Sequence, residues 1–162
     1  ETLLSEQERK ILIQEDIPEF MRKLVMRQFD LRMHPVNPNN PFRPEKSEAQ
    51  YAEYMQSFDQ ISGDFDCTMF HQAIVAYYSD YNLLTTSLRP HGVSYANGDV
   101  HSASLDHAIY FHQDFRVDEW LLYDMHATRS SQSRGLNFGQ FWQNEQLVCS
   151  VTQESLMRVR QK

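Results

Sequence analysis

The stretch that decides the fold runs from Phe70 to Leu84 and reads Phe-His-Gln-Ala-Ile-Val-Ala-Tyr-Tyr-Ser-Asp-Tyr-Asn-Leu-Leu. Its apolar residues recur every three or four positions, as is typical of a helix, at Phe70, Ala73, Ile74, Tyr77, Tyr81 and Leu84. Because the segment is apolar around most of its circumference, it predicts one long helix that is buried on most sides.

Asp80 is the acidic residue within this predicted helix. It is expected to lie among alanine and leucine positions, where a buried carboxylate without a partner is unfavourable. This makes Asp80 a candidate functional residue. A carboxylate that caps a turn or pairs with an arginine would also fit such a position, so a structural role stays open.

Length and composition bound the class of protein. The chain has 162 residues, of which 41% are hydrophobic and 23% charged, and this fits one globular domain with a sizeable core. The net charge of −7 argues against a nucleic-acid partner, and no apolar run is long enough to predict a membrane span. Cys67 and Cys149 match no metal or redox motif, so we expect free, buried, inert thiols in a reducing compartment.

Two helix-start signals precede the central stretch. Ser5 and Glu8 have the spacing of a capping box, and Pro18 is expected at the first position of a second helix. The apolar side of that second helix would be formed by Phe20, Leu24 and Val25. We therefore interpret residues 1–27 as a helical lead-in, followed by a single domain over residues 28–160.

Within residues 28–160 the remaining patterns favour strands. Alternation predicts strands at Phe29–His34, Ser104–Phe111 and Trp120–Met125, a polar loop at Ser130–Gly135, and a hairpin of Leu136–Trp142 with Leu147–Arg158. The segment Tyr51–Phe58 fits a helix or a strand equally well. The sequence thus predicts an α+β fold, in which an antiparallel sheet wraps around one long central helix.

Two further polar residues interrupt predicted strands. Gln153 breaks an apolar row on the last strand, although a bulge or an edge position would turn it outward. Ser104 lies in the earlier strand region, where a serine most often bonds to backbone or water. Together Asp80, Ser104 and Gln153 supply an acceptor, a hydroxyl and an amide, which could hold one water between them.

Other catalytic and binding motifs fail on spacing. His107 and His112 would point to opposite faces of a strand, and His101 would lie roughly 20 Å from His107, too far to share a metal. No glycine-rich phosphate loop and no Gly-x-Ser-x-Gly elbow is present. The sequence therefore predicts no metal site and leaves any cofactor-binding residues unknown.

A series of motifs resembles the second half of the type II acyl-CoA thioesterases. In family order they are Tyr78-Ser79-Asp80-Tyr81-Asn82-Leu83-Leu84, Arg89-Pro90-His91-Gly92, Ser104-Leu105-Asp106-His107, Asp118-Glu119-Trp120, Arg134-Gly135-Leu136 and Thr152-Gln153-Glu154. The resemblance implies a hotdog fold and the hydrolysis of fatty acyl-CoA to free fatty acid and CoA. It implies no separate cofactor, because coenzyme A is part of the substrate.

The family's water-holding trio falls on Asp80, Ser104 and Gln153, and the middle residue is often threonine in the family. The resemblance thus implies that Asp80 acts as base or orienter of a water whose other bonds Ser104 and Gln153 fix. The donor to the oxyanion is not assigned; a backbone N–H near the start of the main helix is one candidate.

The main departure from the family is length. Members carry two hotdog domains in one chain, whereas this chain resembles the C-terminal one alone. We expect its open strand edge and apolar flank to be covered by a missing N-terminal half or by self-association into a homo-oligomer.

Two alternatives stay open at this stage. One is a non-catalytic hotdog domain that binds acyl-CoA or serves in assembly. The other is an enoyl-CoA hydratase, since Gly98-Asp99-Val100-His101 is weakly similar to that signature, but its aspartate and histidine are too close together. The expected location is intracellular, peroxisomal in a eukaryote and otherwise cytoplasmic, although the chain ends Val-Arg-Gln-Lys and not Ser-Lys-Leu.

Overall fold

The computed structural model of the chain describes residues 3–27 and 31–160. Its helices are α1 (Glu6–Leu12), α2 (Glu19–Val25), α3 (Thr68–Tyr78) and α4 (Thr85–Leu88), with 3₁₀ turns at Gly63–Phe65 and Arg89–His91. Its strands are β1 (Leu31–Pro35), β2 (Gln50–Ser57), β3 (Val100–Ser104), β4 (Ala108–Phe111), β5 (Leu121–Ser131), β6 (Arg134–Gln143) and β7 (Gln146–Val159).

The strands form one curved antiparallel sheet that packs against α3. Their order is β1-β2-β5-β6-β7-β3, and β4 pairs with the first half of β7 while β3 pairs with its second half. The core lies between the sheet and the helix, where Val75 and Tyr78 of α3 meet Met55, Tyr123 and Phe141 of the strands. The predicted α+β architecture with a central helix is confirmed.

The central helix is shorter than predicted. α3 ends at Tyr78, a turn follows, and the chain becomes helical again at Thr85. The reason is Asn82, which adopts a left-handed backbone with φ of 61°. Asparagine tolerates that conformation better than most residues, and a helix cannot continue through it. Asp80 therefore lies in the turn and not within the helix.

The prediction that the central helix is buried on most sides is also wrong. His71, Val75 and Tyr78 face the core, whereas Met69 and Tyr77 are 76% and 64% exposed. The sheet covers one side of the helix, and Asp80 is exposed at the end of the open side. Burial along an element thus depends on what is packed against each face, which apolar periodicity alone does not specify.

Three strand predictions are changed by the structure. The ambiguous segment Tyr51–Phe58 is strand β2. The predicted strand Ser104–Phe111 is interrupted between Ser104, the last residue of β3, and Ala108, the first of β4. In the gap, Asp106 Oδ1 accepts a 2.6 Å hydrogen bond from the backbone N–H of Glu154. The predicted loop at Ser130–Gly135 is a tight hairpin turn whose two central residues have positive φ.

The hairpin between β6 and β7 was predicted and is confirmed. On β7 the row of inward residues continues through Cys149, Val151, Gln153, Ser155 and Met157, all of which are buried. Gln153 is therefore not turned outward by an edge or a bulge. The register does shift between Phe141 and Trp142, beyond this row.

The lead-in is helical as predicted. Ser5 and Glu8 form the expected capping box of α1, while Pro18 stands just before α2 and not at its first position. The predicted apolar side of α2 is wrong in part, since Phe20 is 85% and Leu24 70% exposed. The expected first strand is described from Leu31 onward, and Phe29 lies outside the described residues.

Cys149 is a free, buried thiol, and burial raises its pKa to about 12. Cys67 is also free but exposed, so the expectation that both thiols are buried is wrong for Cys67. In the described part of the chain, every helix is too short or too polar to cross a membrane.

Candidate functional site

Three side chains from three separate elements meet at one point. Asp80 comes from the turn after α3, Ser104 is the last residue of β3, and Gln153 lies in the middle of β7. Ser104 Oγ donates to Asp80 Oδ1 at 2.9 Å, and Gln153 Nε2 donates to the same oxygen at 2.8 Å. Gln153 Nε2 also donates to Ser104 Oγ. The structure therefore brings together all three residues singled out in the sequence.

The register of the sheet determines the relative positions of Ser104 and Gln153. Ser104 pairs with Ser155 across the β3–β7 ladder, so Gln153 lies one inward position further along β7. Just beyond β3, the backbone N–H of Leu105 donates to the Glu154 carbonyl at 2.9 Å. Asp106 accepts from the N–H of Glu154 as well. These two bonds fix the end of β3 beside Gln153.

The turn that carries Asp80 is held by its neighbours. The hydroxyl of Tyr123, which is fully buried on β5, donates to the Ser79 carbonyl at 2.5 Å. The Ser79 hydroxyl donates to the Ala76 carbonyl at 2.9 Å and lies 2.7 Å from Nε2 of His107. Asp80 therefore projects from a backbone fixed on both the helix side and the sheet side.

A buried carboxyl group anchors the other end of the turn. Glu53 of β2 is 1% exposed and accepts hydrogen bonds from Asn82 Nδ2 at 3.2 and 3.3 Å and from the Tyr51 hydroxyl at 3.2 Å. Burial raises the pKa of Glu53 to about 8, against the lowering effect of its two donors. Sequence reasoning missed Glu53, although an acidic residue between Tyr51 and Met55 on the inward side of a strand was a usable signal.

The site is part buried and part open. Gln153 is fully buried, and among the described residues its Oε1 has no hydrogen-bond partner. The amide orientation follows from the chemistry, because the Asp80 carboxylate requires the donor nitrogen on its side. Buried carbonyl oxygens normally have a partner in protein or water, so Oε1 is suited to accept a bond from a bound water. Asp80 is exposed, contrary to the sequence prediction, and can be reached from solvent.

Two cavities meet at Asp80. A polar one of about 420 Å³ runs along β3 past His101 to Arg160. A larger and mainly apolar one of about 670 Å³ extends from Asp80 beneath α1 and α2. A molecule with a polar portion and an apolar portion could occupy both cavities, with the bond between the two portions next to Asp80.

The start of the main helix is too far from Asp80 to supply an oxyanion donor. α3 begins at Thr68, which is roughly 15 Å or more from its other end at about 1.5 Å per residue, and Asp80 lies beyond that end. Within one chain, the N–H groups at the start of α3 therefore do not reach Asp80, and the oxyanion donor stays unassigned. Within residues 3–27 and 31–160, no three His, Cys, Asp or Glu side chains lie where they could share a metal ion.

A second polar cluster lies next to the first. Asn137 of β6 donates to the Gln153 carbonyl at 3.1 Å and to Ser155 Oγ at 2.7 Å. Its own Oδ1 accepts from Thr86 Oγ1 at 3.1 Å and from the Ser87 hydroxyl. Asn137, Thr86, Ser87 and Ser155 are all fully buried. This cluster attaches α4 to the sheet, and its side-chain donors and acceptors satisfy one another.

Comparison with known proteins gives consistent results. A family model described as acyl-CoA thioesterase matches residues 20–156. The chain is 32% identical over 162 residues to acyl-coenzyme A thioesterase 8 of Homo sapiens, which covers 99% of this chain and 49% of that protein. It therefore spans about half the length of this relative.

Solved structures give the fold. An acyl-CoA thioesterase II from Mycobacterium marinum matches with a TM-score of 0.66 and 30% identity, over 81% of this chain and 50% of that one. A protein of Alicyclobacillus acidocaldarius described as having a hot dog fold matches with a TM-score of 0.58 at 16% identity, over 82% of this chain and 47% of that one. The predicted hotdog fold is confirmed.

Proposed function

The chain belongs to the acyl-CoA thioesterase family, and we propose that it hydrolyses fatty acyl-CoA to a free fatty acid and CoA. The observation that carries this proposal is the convergence of Asp80, Ser104 and Gln153, of which Asp80 lines both a polar and an apolar cavity. Such a reaction would place the protein in fatty-acid metabolism.

The proposed reaction starts from a water bound to Asp80. Gln153 Oε1 accepts one hydrogen of that water and the Asp80 carboxylate accepts the other, which directs a lone pair of the oxygen at the thioester carbonyl. As the C–O bond forms, the proton passes to Asp80. The C–S bond then breaks, the thiolate of CoA leaves and takes the proton from Asp80, which returns to its carboxylate form, and the fatty acid is released.

Ser104 has a supporting part in this scheme. Its hydroxyl donates to Asp80 Oδ1 and receives a bond from the Gln153 amide, so it keeps both groups aligned. One oxygen of the carboxylate is thereby occupied by donors and the second is left to act on the water. A thiolate is a good enough leaving group for an oriented water and a carboxylate to suffice without a metal.

We further propose that the open side of α3 is covered by another hotdog half, either in a longer protein or in a second copy of this chain. Met69 and Tyr77 expose apolar surface there, and β3 and β4 form an outer edge of the sheet. Exposed apolar patches and open edges of this kind favour association.

A binding or assembly role without turnover is the second candidate. The observation in its favour is that the chain spans only about half of its human relative, so the other half could supply essential groups. Under this proposal the trio would bind a water or a ligand but would not complete the reaction.

The test is acyl-CoA hydrolysis by this chain, followed as thiol release, with Asp80→Ala beside the wild type. Asp124→Ala is the matched control, because Asp124 is an exposed carboxylate on β5 outside the site. We expect activity in the wild type and the control and none in Asp80→Ala. Undiminished hydrolysis by Asp80→Ala would overturn the assignment. Binding of acyl-CoA without hydrolysis by the wild type would support the second candidate.

A further inference from the structure

The reaction scheme assigns no role to the cavity of about 670 Å³ beside the two N-terminal helices. Met21, Leu24 and Val25 of α2 line it, together with Met33 and Tyr51 of the sheet. The volume lies within the range of about 300–1,000 Å³ that is usual for small-molecule sites. The helical lead-in thus forms part of the wall of this cavity, here called the chamber, which lies beside the candidate active site.

Of the three site residues, Asp80 lines the chamber. Asp80, Asn82, Thr85 and Tyr95 line both this cavity and the polar one along β3, so the two cavities adjoin at the carboxylate. An apolar group that extends from a thioester at Asp80 would therefore enter the chamber. A polar group on the sulfur side would lie along β3.

The charged residues that α1 contributes to the chamber, Glu6, Arg9 and Lys10, are bonded to other protein groups, some of which line the same cavity. Arg9 pairs with Glu6 at 3.6 Å and donates to the Asn39 carbonyl at 3.3 Å. Lys10 is buried, and its Nζ donates to the Arg27 carbonyl at 3.1 Å. With these charges bonded to protein groups, the space between α2 and the sheet is suited to an apolar ligand.

Helices α1 and α2, which line the chamber, are held against the rest of the domain by several contacts. Asp16, between α1 and α2, accepts from Asn40 Nδ2 at 2.5 Å and pairs with Arg43 at 2.5 Å. His34 of β1 lies 3.3 Å from the Leu3 carbonyl through its Nδ1. Ile17 of the same connection is 2% exposed. These contacts therefore hold α1 and α2 against the rest of the domain.

We propose that this chamber binds the acyl chain of the substrate, and that Met21 and Val25 of α2 set the longest chain that fits. The proposal rests on the function proposed above, because it places the thioester carbonyl at Asp80. It assigns the lead-in a direct part in substrate selection. Each methylene buried in the chamber should raise the apparent affinity about fourfold until the chamber is full.

The test is the chain-length profile of kcat/KM for saturated acyl-CoAs from acetyl-CoA to palmitoyl-CoA. Met21→Trp places an indole in the chamber. Phe20→Trp places the same group at the preceding position, where the native phenylalanine is 85% exposed. We expect Met21→Trp to reduce kcat/KM for the longest chains, relative to that for acetyl-CoA, tenfold or more. Phe20→Trp should retain the wild-type profile. Identical profiles for the two variants would overturn the proposal.

A second arm separates this proposal from the proposed hydrolysis. Binding of S-alkyl-CoA thioethers of increasing length, which cannot be hydrolysed, is measured by calorimetry with the wild type and both variants. If affinity rises with chain length and Met21→Trp removes the rise, the chamber proposal stands even without any hydrolysis. If hydrolysis occurs but Met21→Trp leaves thioether binding unchanged, the chamber proposal fails alone. Should Met21→Trp not fold, Val25→Phe on the same wall supplies the same comparison.

Discussion

Two polar clusters occupy neighbouring inward positions of β7. They differ in whether their hydrogen-bonding groups are all satisfied within the protein. Gln153 joins Asp80 and Ser104, and Ser155 joins Asn137. In the second cluster every side chain is buried and satisfied by another. In the first, a buried oxygen of Gln153 has no partner among the described residues, and Asp80 faces two cavities.

The comparison shows that polarity in a core does not by itself indicate function. Both clusters contain an amide and at least one hydroxyl, and both lie between helical segments and the same strand. A satisfied and closed cluster contributes to the fold, because breaking it leaves groups unpaired in the interior. A cluster with an unused acceptor and access to solvent retains the capacity to bind a further molecule.

The largest expected effect is that of Asp80→Asn. The change keeps the shape of the side chain but removes the proton acceptor, so kcat/KM for acyl-CoA should fall about 10³-fold, or about 4 kcal/mol in the barrier. The melting temperature should stay within a few degrees of wild type, because Asp80 is exposed. A variant that lost its stability and kept its activity would place Asp80 with the structural cluster instead.

Asn137→Ala should show the opposite pattern. It leaves the hydroxyls of Thr86, Ser87 and Ser155 without their common partner, and we expect a loss of about 2–4 kcal/mol in the free energy of unfolding. Urea denaturation measures this. Asn97→Ala, at an exposed position, is the control and should change stability by less than about 0.5 kcal/mol. Equal effects of the two variants would contradict the structural role of the Asn137 cluster.

Glu53→Gln tests the support beneath the Asp80 turn through pH. Burial raises the pKa of Glu53 from 4.5 to about 8, so the folded protein keeps a proton that the unfolded chain releases. Stability linked to this proton is complete below pH 4.5 and declines as the pH rises to about 8.

Because glutamine cannot ionise, the variant should lack this decline. At about 1.4 kcal/mol per pKa unit, it should be more stable than the wild type by up to about 4 kcal/mol at pH 9 and by less than about 1 kcal/mol at pH 5. Thermal melts at both pH values give the comparison, with Glu119→Gln at an exposed position as control. Parallel pH profiles for wild type and Glu53→Gln would show that Glu53 does not carry the effect.

Ser104→Ala should have the smallest effect of the four. It removes one hydrogen bond to Asp80 and one acceptor for Gln153, and we expect a reduction of about 10-fold in kcat/KM. Ser104→Thr keeps the hydroxyl and should retain near wild-type turnover. A fall of equal size in both variants would assign the effect to packing at the end of β3 and not to the hydroxyl.

Much of the fold could be predicted because local patterns are strong here. The capping box of α1, the β6–β7 hairpin and the central helix each depend on residues close together in sequence. The errors have one physical origin. The turn at Asn82 that separates α3 from α4 and the break in the predicted strand at Asp106 both involve bonds to distant residues, Glu53 and Glu154.

The sequence by itself determined the membership of the candidate site: Asp80, Ser104 and Gln153 could be chosen from residue type, position in each pattern and family resemblance. Only the tertiary structure decided that Asp80 is exposed in a turn, that Gln153 points inward with an unpaired oxygen, and that α1 and α2 cover an apolar chamber beside them. Those properties arise when segments far apart in the chain pack together. The pattern within a single segment does not specify which of its faces another segment will cover.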